Sequence, residues 1–327
     1  MQMSGDFTEL RIGMLINRLF CTCGKMNKTK KAVDFIPLLL MSGLFVLVDL
    51  LAFLVAGPFE AAGAVAFENP SDPFNLAYFF FILLVFTAII LLIIKLGKKQ
   101  ALRIIFIGAT TVLSIYVIYP ILSIFLADAR VSLGLSITAA AVLLIALVRK
   151  PEWYVTNAIA LLTGVGAIAI MGISLDIAII IVLLIAMAAY DAVSVYKTKH
   201  MIDLADNVID LKLPVMFVIP KKRDYSLLKE QKSLKQKLKD GEEREAYFLG
   251  VGDVVFPGIL AVAAFHNLSS NGFIIALSVL AGTLLGFIAL MTYVIKGNPQ
   301  PGLPFLCSGA ILGYFAGAYL LFGSPPI

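Results

Sequence analysis

Three carboxylates interrupt the long apolar stretches of this chain: Asp49, Asp191 and Asp253. A carboxylate near the middle of a membrane-crossing helix costs about 2.5–3.5 kcal/mol on insertion scales, so each needs a reason to be there. Two carboxylates within a few ångströms of each other share a proton. The ionised partner can then take a proton from water, while the protonated partner polarises a peptide carbonyl and later assists the leaving amine. Such a pair titrates as a unit, so neither member is assigned as the initial base.

Whether Asp191 and Asp253 can meet depends on the elements that carry them. The chain of 327 residues is 60% hydrophobic and 14% charged, with a mean hydropathy of +0.96. A soluble domain carries about 25% charged residues, so an ordinary soluble protein is excluded. The apolar residues fall into blocks of about 20, the length that crosses ~30 Å of hydrocarbon. Their pattern predicts an all-α polytopic membrane protein with nine spans, at roughly 36–56, 76–96, 104–126, 131–148, 154–173, 176–197, 247–266, 272–295 and 303–322.

The net charge of +5 could indicate nucleic acid, but the basic residues sit between the apolar blocks, which is the pattern of membrane orientation. Every Lys and Arg except Arg130 falls in alternate connections, counted from the N-terminal tail. Cytoplasmic segments carry that excess, so the N-terminus is expected to be cytoplasmic and the C-terminus outside. The expected organisation is a cytoplasmic or interfacial segment over 1–35, spans one to six over 36–197, a cytoplasmic loop over 198–246, and spans seven to nine over 247–327. Residues 8–20 are expected to form an amphipathic surface helix, and Arg11 and Arg18 argue against a secretory signal peptide. Lys221 to Glu245 should be a solvated loop or surface helix, whereas Pro214 to Pro220 is too short to span and fits a strand or an interfacial patch.

On this topology Asp191 lies six residues before the end of span six, and Asp253 six residues into span seven, each ~9 Å deep at 1.5 Å per residue. The two helices are sequence neighbours and antiparallel, so the two carboxylates are expected at one depth. Small residues surround both: Ala186, Ala188, Ala189 and Ala192 near the first, Gly250 and Gly252 near the second. Such residues let membrane helices approach closely. Pro257-Gly258 is expected to loosen span seven and widen a cavity there. Asp49 has no comparable setting and is read as structural. Gly309, Gly313 and Gly317, four apart, predict a helix-packing face.

These residues carry a resemblance. Tyr190-Asp191 and Gly250-Val251-Gly252-Asp253 resemble the Tyr-Asp and Gly-x-Gly-Asp motifs of the presenilin and signal peptide peptidase family. The family's third motif, Pro-Ala-Leu, is matched by Pro301-Gly302-Leu303, with Gly302 in the alanine position. The resemblance runs along essentially the whole chain, and the compact size and N-terminal orientation are similar to archaeal presenilin homologues. It implies a presenilin-like bundle and an intramembrane aspartyl protease acting on single-span membrane proteins. Asp191 and Asp253 would be the catalytic pair, with Tyr190, Gly250, Gly252, Pro301, Gly302 and Leu303 shaping the site. It also suggests that an unwound substrate segment adds as a strand to Val215–Ile219 or to the segment beside Pro301.

Other chemistries fit poorly. The chain has no His-Glu-x-x-His, and His200, His266, Cys21, Cys23 and Cys307 lack metal-ligand spacing, so neither a metal nor a cofactor is expected. The alternative from another class is an ion or proton pathway that uses the paired carboxylates. Inverted repeats would support it, and none is visible between the halves.

Overall fold

The computed structural model describes residues 35–97, 99–126, 128–198, 214–221, 225–226, 246–268, 271–294, 300–323 and 326. The expected amphipathic helix at 8–20, Cys21, Cys23, His200 and most of the 221–245 segment lie outside the described residues. By contacts the chain divides into Met1–Leu39 and Leu40–Ile327. Of the first unit only residues 35–39, the opening of the first helix, are described.

The described residues form nine α-helices: α1 (Phe35–Ala61), α2 (Phe74–Lys95), α3 (Lys99–Phe125), α4 (Ala129–Arg149), α5 (Trp153–Ser174), α6 (Ile177–Val193), α7 (Val251–Asn267), α8 (Gly272–Val294) and α9 (Leu303–Phe322). Eight are long and apolar enough to cross a membrane. The exception, α7, has 17 residues and rises about 25 Å. All nine fall where the hydropathy blocks predicted them. Helix α1 runs five residues past its expected end and α3 starts five residues early, whereas α7 starts four residues late, at Val251, because residues 246–250 are extended.

Those residues form β2 (Ala246–Gly250), which pairs antiparallel with β1 (Met216–Pro220). The short apolar run between Pro214 and Pro220 is thus a strand, and the predicted boundary between loop and span seven at 246/247 runs through β2. Phe217 pairs with Leu249, Val218 with Phe248 and Ile219 with Tyr247.

The centre of the bundle is α7, which packs against α5, α6, α8 and α9. Its neighbour α5 is the most enclosed long helix, whereas none of the apolar window of α2 is buried. Phe81, Leu84 and Leu92 on α2 are more than half exposed, as they should be on a surface that meets lipid tails. This is a multi-pass membrane protein. Polar residues inside its helices, such as Thr163 and Thr283, donate to the carbonyls of Ile159 and Val279 one turn back, both at 2.9 Å. That satisfies them where water is absent.

Close packing is built from glycine. A methyl group added to Gly282 would collide with the Gly309 carbonyl, one on Gly286 with that of Phe305, and one on Gly313 with that of Ser278. Gly309, Gly313 and Gly317 therefore form the predicted packing face, and its partner is α8. One face of α1 is buried at helical spacing, through Met41, Phe45, Val48, Ala52 and Phe59. Phe45 meets Phe287 of α8 at 5.2 Å, and Phe53 stacks on Phe265 of α7 at 5.1 Å between ring centroids.

Candidate active site

Asp191 sits near the C-terminal end of α6, two residues before its last helical residue. The chain then makes a π-helical turn, Ser194–Thr198, an irregularity that is enriched at functional sites. Asp253 lies in the first turn of α7, just after its N-cap Gly250. It reaches the bundle by following β2, so its placement comes from a strand–helix junction rather than from six helical residues of depth. Both aspartates are half-buried.

The start of α9 brings the two together. The backbone N–H of Leu303 donates to Asp191 Oδ2 at 3.1 Å, using one of the donors that the first turn of a helix leaves free. One residue earlier, a methyl added to Gly302 would lie 3.4 Å from the Asp253 carboxyl. The start of α9 thus bonds one carboxyl through Leu303 and leaves the space at Gly302 open toward the other, and the two carboxyls also interact electrostatically. Pro301, Gly302 and Leu303 are all buried, and Pro304 pre-sets the first helical turn.

The remaining motif residues divide. A methyl on Gly250 would come within 3.3 Å of Asp253 Oδ2, tighter than ordinary contact. At Gly252 the nearest neighbour would be Phe256, at 3.8 Å, so its lack of a side chain is not required by packing. Tyr190 is 48% exposed. Two residues not singled out from sequence stand beside the site. Tyr196 donates to Gln300 Oε1 at 2.6 Å, tying the π-helical turn to the residue before Pro301. Cys307, fully buried one turn along α9, lies within electrostatic reach of both aspartates. Neither carries a sequence signal of its own, because only the helix register of α9 against α6 brings them there.

At Pro257 and Gly258 the space beside the helix is filled by packing. The helix runs unbroken through both, and both are buried. A methyl at Gly258 would collide with Asp49 Oδ1 at 2.6 Å and with the Ile168 side chain at 2.8 Å. The glycine makes room for close packing. Asp49 is 2% exposed, and its Oδ1 has no hydrogen-bond partner among the described residues. A buried acceptor without a donor costs about 1–3 kcal/mol. Asp49→Val, which removes it without adding bulk, is expected to raise the melting temperature by about 2 °C and leave activity intact. A differential scan and a rate measurement check this.

A helical bundle that gathers two half-buried aspartates at the start of a third helix defines a membrane protein organised around a carboxylate pair. The sequence matches the family model for signal-peptide peptidase, presenilin aspartyl protease over residues 42–323, and the chain belongs to that family. Two solved structures are similar to it. One, a presenilin family intramembrane aspartate protease in a C222 crystal form, is 29% identical with a TM-score of 0.62, covering 86% of this chain and 99% of that one. The other, a presenilin family intramembrane aspartate protease in a P2 form, is 30% identical with a TM-score of 0.64, covering 88% and 99%. No curated protein matches the sequence.

Proposed function

We propose that the chain is an intramembrane aspartyl endopeptidase of the Gly-x-Gly-Asp type, cutting single-span membrane proteins within their membrane helices. The observation that carries this reading is that the start of α9 gathers the two aspartates, the Leu303 N–H bonding Asp191 and the side-chain-free position at Gly302 facing Asp253. One carboxylate takes a proton from water, whose oxygen attacks the scissile carbonyl carbon. The other carboxyl gives its proton to the carbonyl oxygen. As the tetrahedral gem-diol collapses, the C–N bond breaks, the nitrogen takes a proton from one carboxyl, and a gem-diol hydroxyl gives its proton to the other carboxylate, so the pair returns to its singly protonated state. The N-terminus is cytoplasmic, the C-terminus is outside, and the 198–246 connection is cytoplasmic, so the pair lies toward the cytoplasmic side.

A helical substrate has its carbonyls bonded and shielded, so it must unwind before attack. Strand addition supplies a way to hold it. The expected edge, Val215–Ile219, is not the one that fits. One side of β1 is paired with β2, and on the other Val218 is already bonded by the Asn157 side chain. Because Val218 turns its N–H and C=O away from β2, alternation along an antiparallel pair turns those of Phe248 and Gly250, both part-exposed, away from β1. The edge of β2 leads directly to Asp253, and it is there that substrate adds.

The glycine contacts set a further expectation. Gly302→Ala should cleave near the wild-type rate, since its methyl only reaches contact distance from Asp253. Gly250→Ala should slow cleavage, on the order of tenfold, by displacing the reacting carboxyl. Initial rates on one substrate distinguish them. Reconstitution in liposomes tests the function itself, reading cleavage of a single-span protein and proton flux together. Cleavage without flux supports the protease, whereas flux without cleavage supports the ion pathway.

A further inference from the structure

Asn157 is a polar residue in the second turn of the enclosed helix α5, and its side chain reaches out of the helix to a strand. Its Nδ2 donates to the Val218 carbonyl at 2.8 Å, and its Oδ1 accepts from the Val218 N–H at 2.7 Å. Both bonds go to one residue. That is the pattern by which a residue on a neighbouring antiparallel strand bonds its partner, using one donor and one acceptor toward the same residue. A single side-chain amide therefore imitates one residue of a strand on the outer side of β1.

We propose that Asn157 is a positioning residue that closes the outer edge of β1 and fixes the sheet to α5, so that substrate adds to β2 alone and in one register. This rests on the protease reading and on strand addition at β2. The outward-facing residues of β1 are Met216, Val218 and Pro220. Pro220 has no N–H to offer, and Asn157 takes both groups of Val218, so no continuous edge is left. Around the clamp, Trp153 of α5 packs on the cluster of Val218, Tyr225 and Ala246. Ser226 just beyond β1 donates to Glu152 at the start of α5, at 2.7 Å. The helix α5 in turn packs along α7, which carries Asp253. The sheet edge and the reacting carboxyl are thus referenced to the same helix.

Register matters because a strand that slips by two residues presents the same face to its partner but a different peptide bond to the aspartates. With the clamp removed, β1 regains an edge and the sheet can shift against α7. The test uses the full chain in liposomes with one single-span substrate, reading kcat, KM and product masses. Asn157→Leu is expected to lower kcat/KM about tenfold or more, since small misplacements of reacting groups have effects of that order. It should also spread the cuts onto bonds near the wild-type one. Asn157→Asp keeps an acceptor for the Val218 N–H and loses the donor, so its product pattern should be intermediate. A merely structural role would lower yield or melting temperature and leave the cut position unchanged.

Phe248→Pro, which removes an outward N–H of β2, is measured beside Phe248→Leu, which keeps it. If the proline variant cuts like the leucine variant, strand addition at β2 is wrong, and the inference fails with it. If the proline variant is impaired but Asn157→Leu cuts at the wild-type bond and rate, the inference alone is overturned. If Asn157→Leu does not fold, Asn157→Asp is read by the same criteria.

Discussion

Asp191→Asn and Asp253→Asn are each expected to lower cleavage by at least about 10³-fold, within the range of general acid–base catalysis. The amide keeps the shape of the carboxyl, so the packing at Gly302 and the bond from Leu303 survive, and the loss is chemical. On the proposed mechanism the two groups act by sharing one proton, so removing either one destroys the pair. The double variant is therefore expected to be no slower than the worse single variant, as for residues that work as a unit. Rates measured on folded, monodisperse protein check both expectations. Multiplicative losses would mean that the aspartates act separately.

The second large effect is expected at the α8–α9 seam. Gly313→Leu places a side chain where the Ser278 backbone already lies, and Gly282→Leu does the same against Gly309. Backbone cannot turn aside as a flexible side chain can. Each change should cost about 3 kcal/mol or more, the upper end of overpacking effects. Cleavage should fall with stability, because separating α9 from α8 also moves Leu303 from Asp191. Gly134→Leu is the control, since Gly134 is exposed and a Cβ there meets nothing within 4 Å. Melting temperatures of the three variants, with cleavage measured well below each transition, separate the seam from general helix effects.

Much of this architecture is legible in the chain because the bilayer imposes simple rules. A block of about 20 apolar residues has few alternatives to a spanning helix, and all nine blocks became helices. The spacing of Gly309, Gly313 and Gly317 reveals a packing face, because small residues repeat once per turn or so wherever two helices touch. The structure supplied the partner of that face, which depends on how distant segments dock. Hydropathy alone placed the start of the seventh span four residues early. Ala246 to Gly250 is apolar enough to extend a helix, and only pairing with β1, some thirty residues away, draws it into a strand. The aspartates were found from their cost in a membrane, but the manner of their meeting was not. It comes from the start of α9, where one backbone N–H and one missing side chain face the two carboxyls. The role of Asn157 is not legible in the sequence for a related reason: an amide in an apolar helix looks like a tolerated polar residue until the strand it bonds is in view.

Intramembrane cleavage by the aspartate pair is tested most directly by the masses of the products when wild-type protein and its Asp253→Asn variant meet a single-span substrate in liposomes. Wild type is expected to give new fragments whose masses add to the substrate plus one water, with the cut inside the membrane span, and the folded variant none. Fragments produced equally by both proteins, or cut only outside the span, would contradict it.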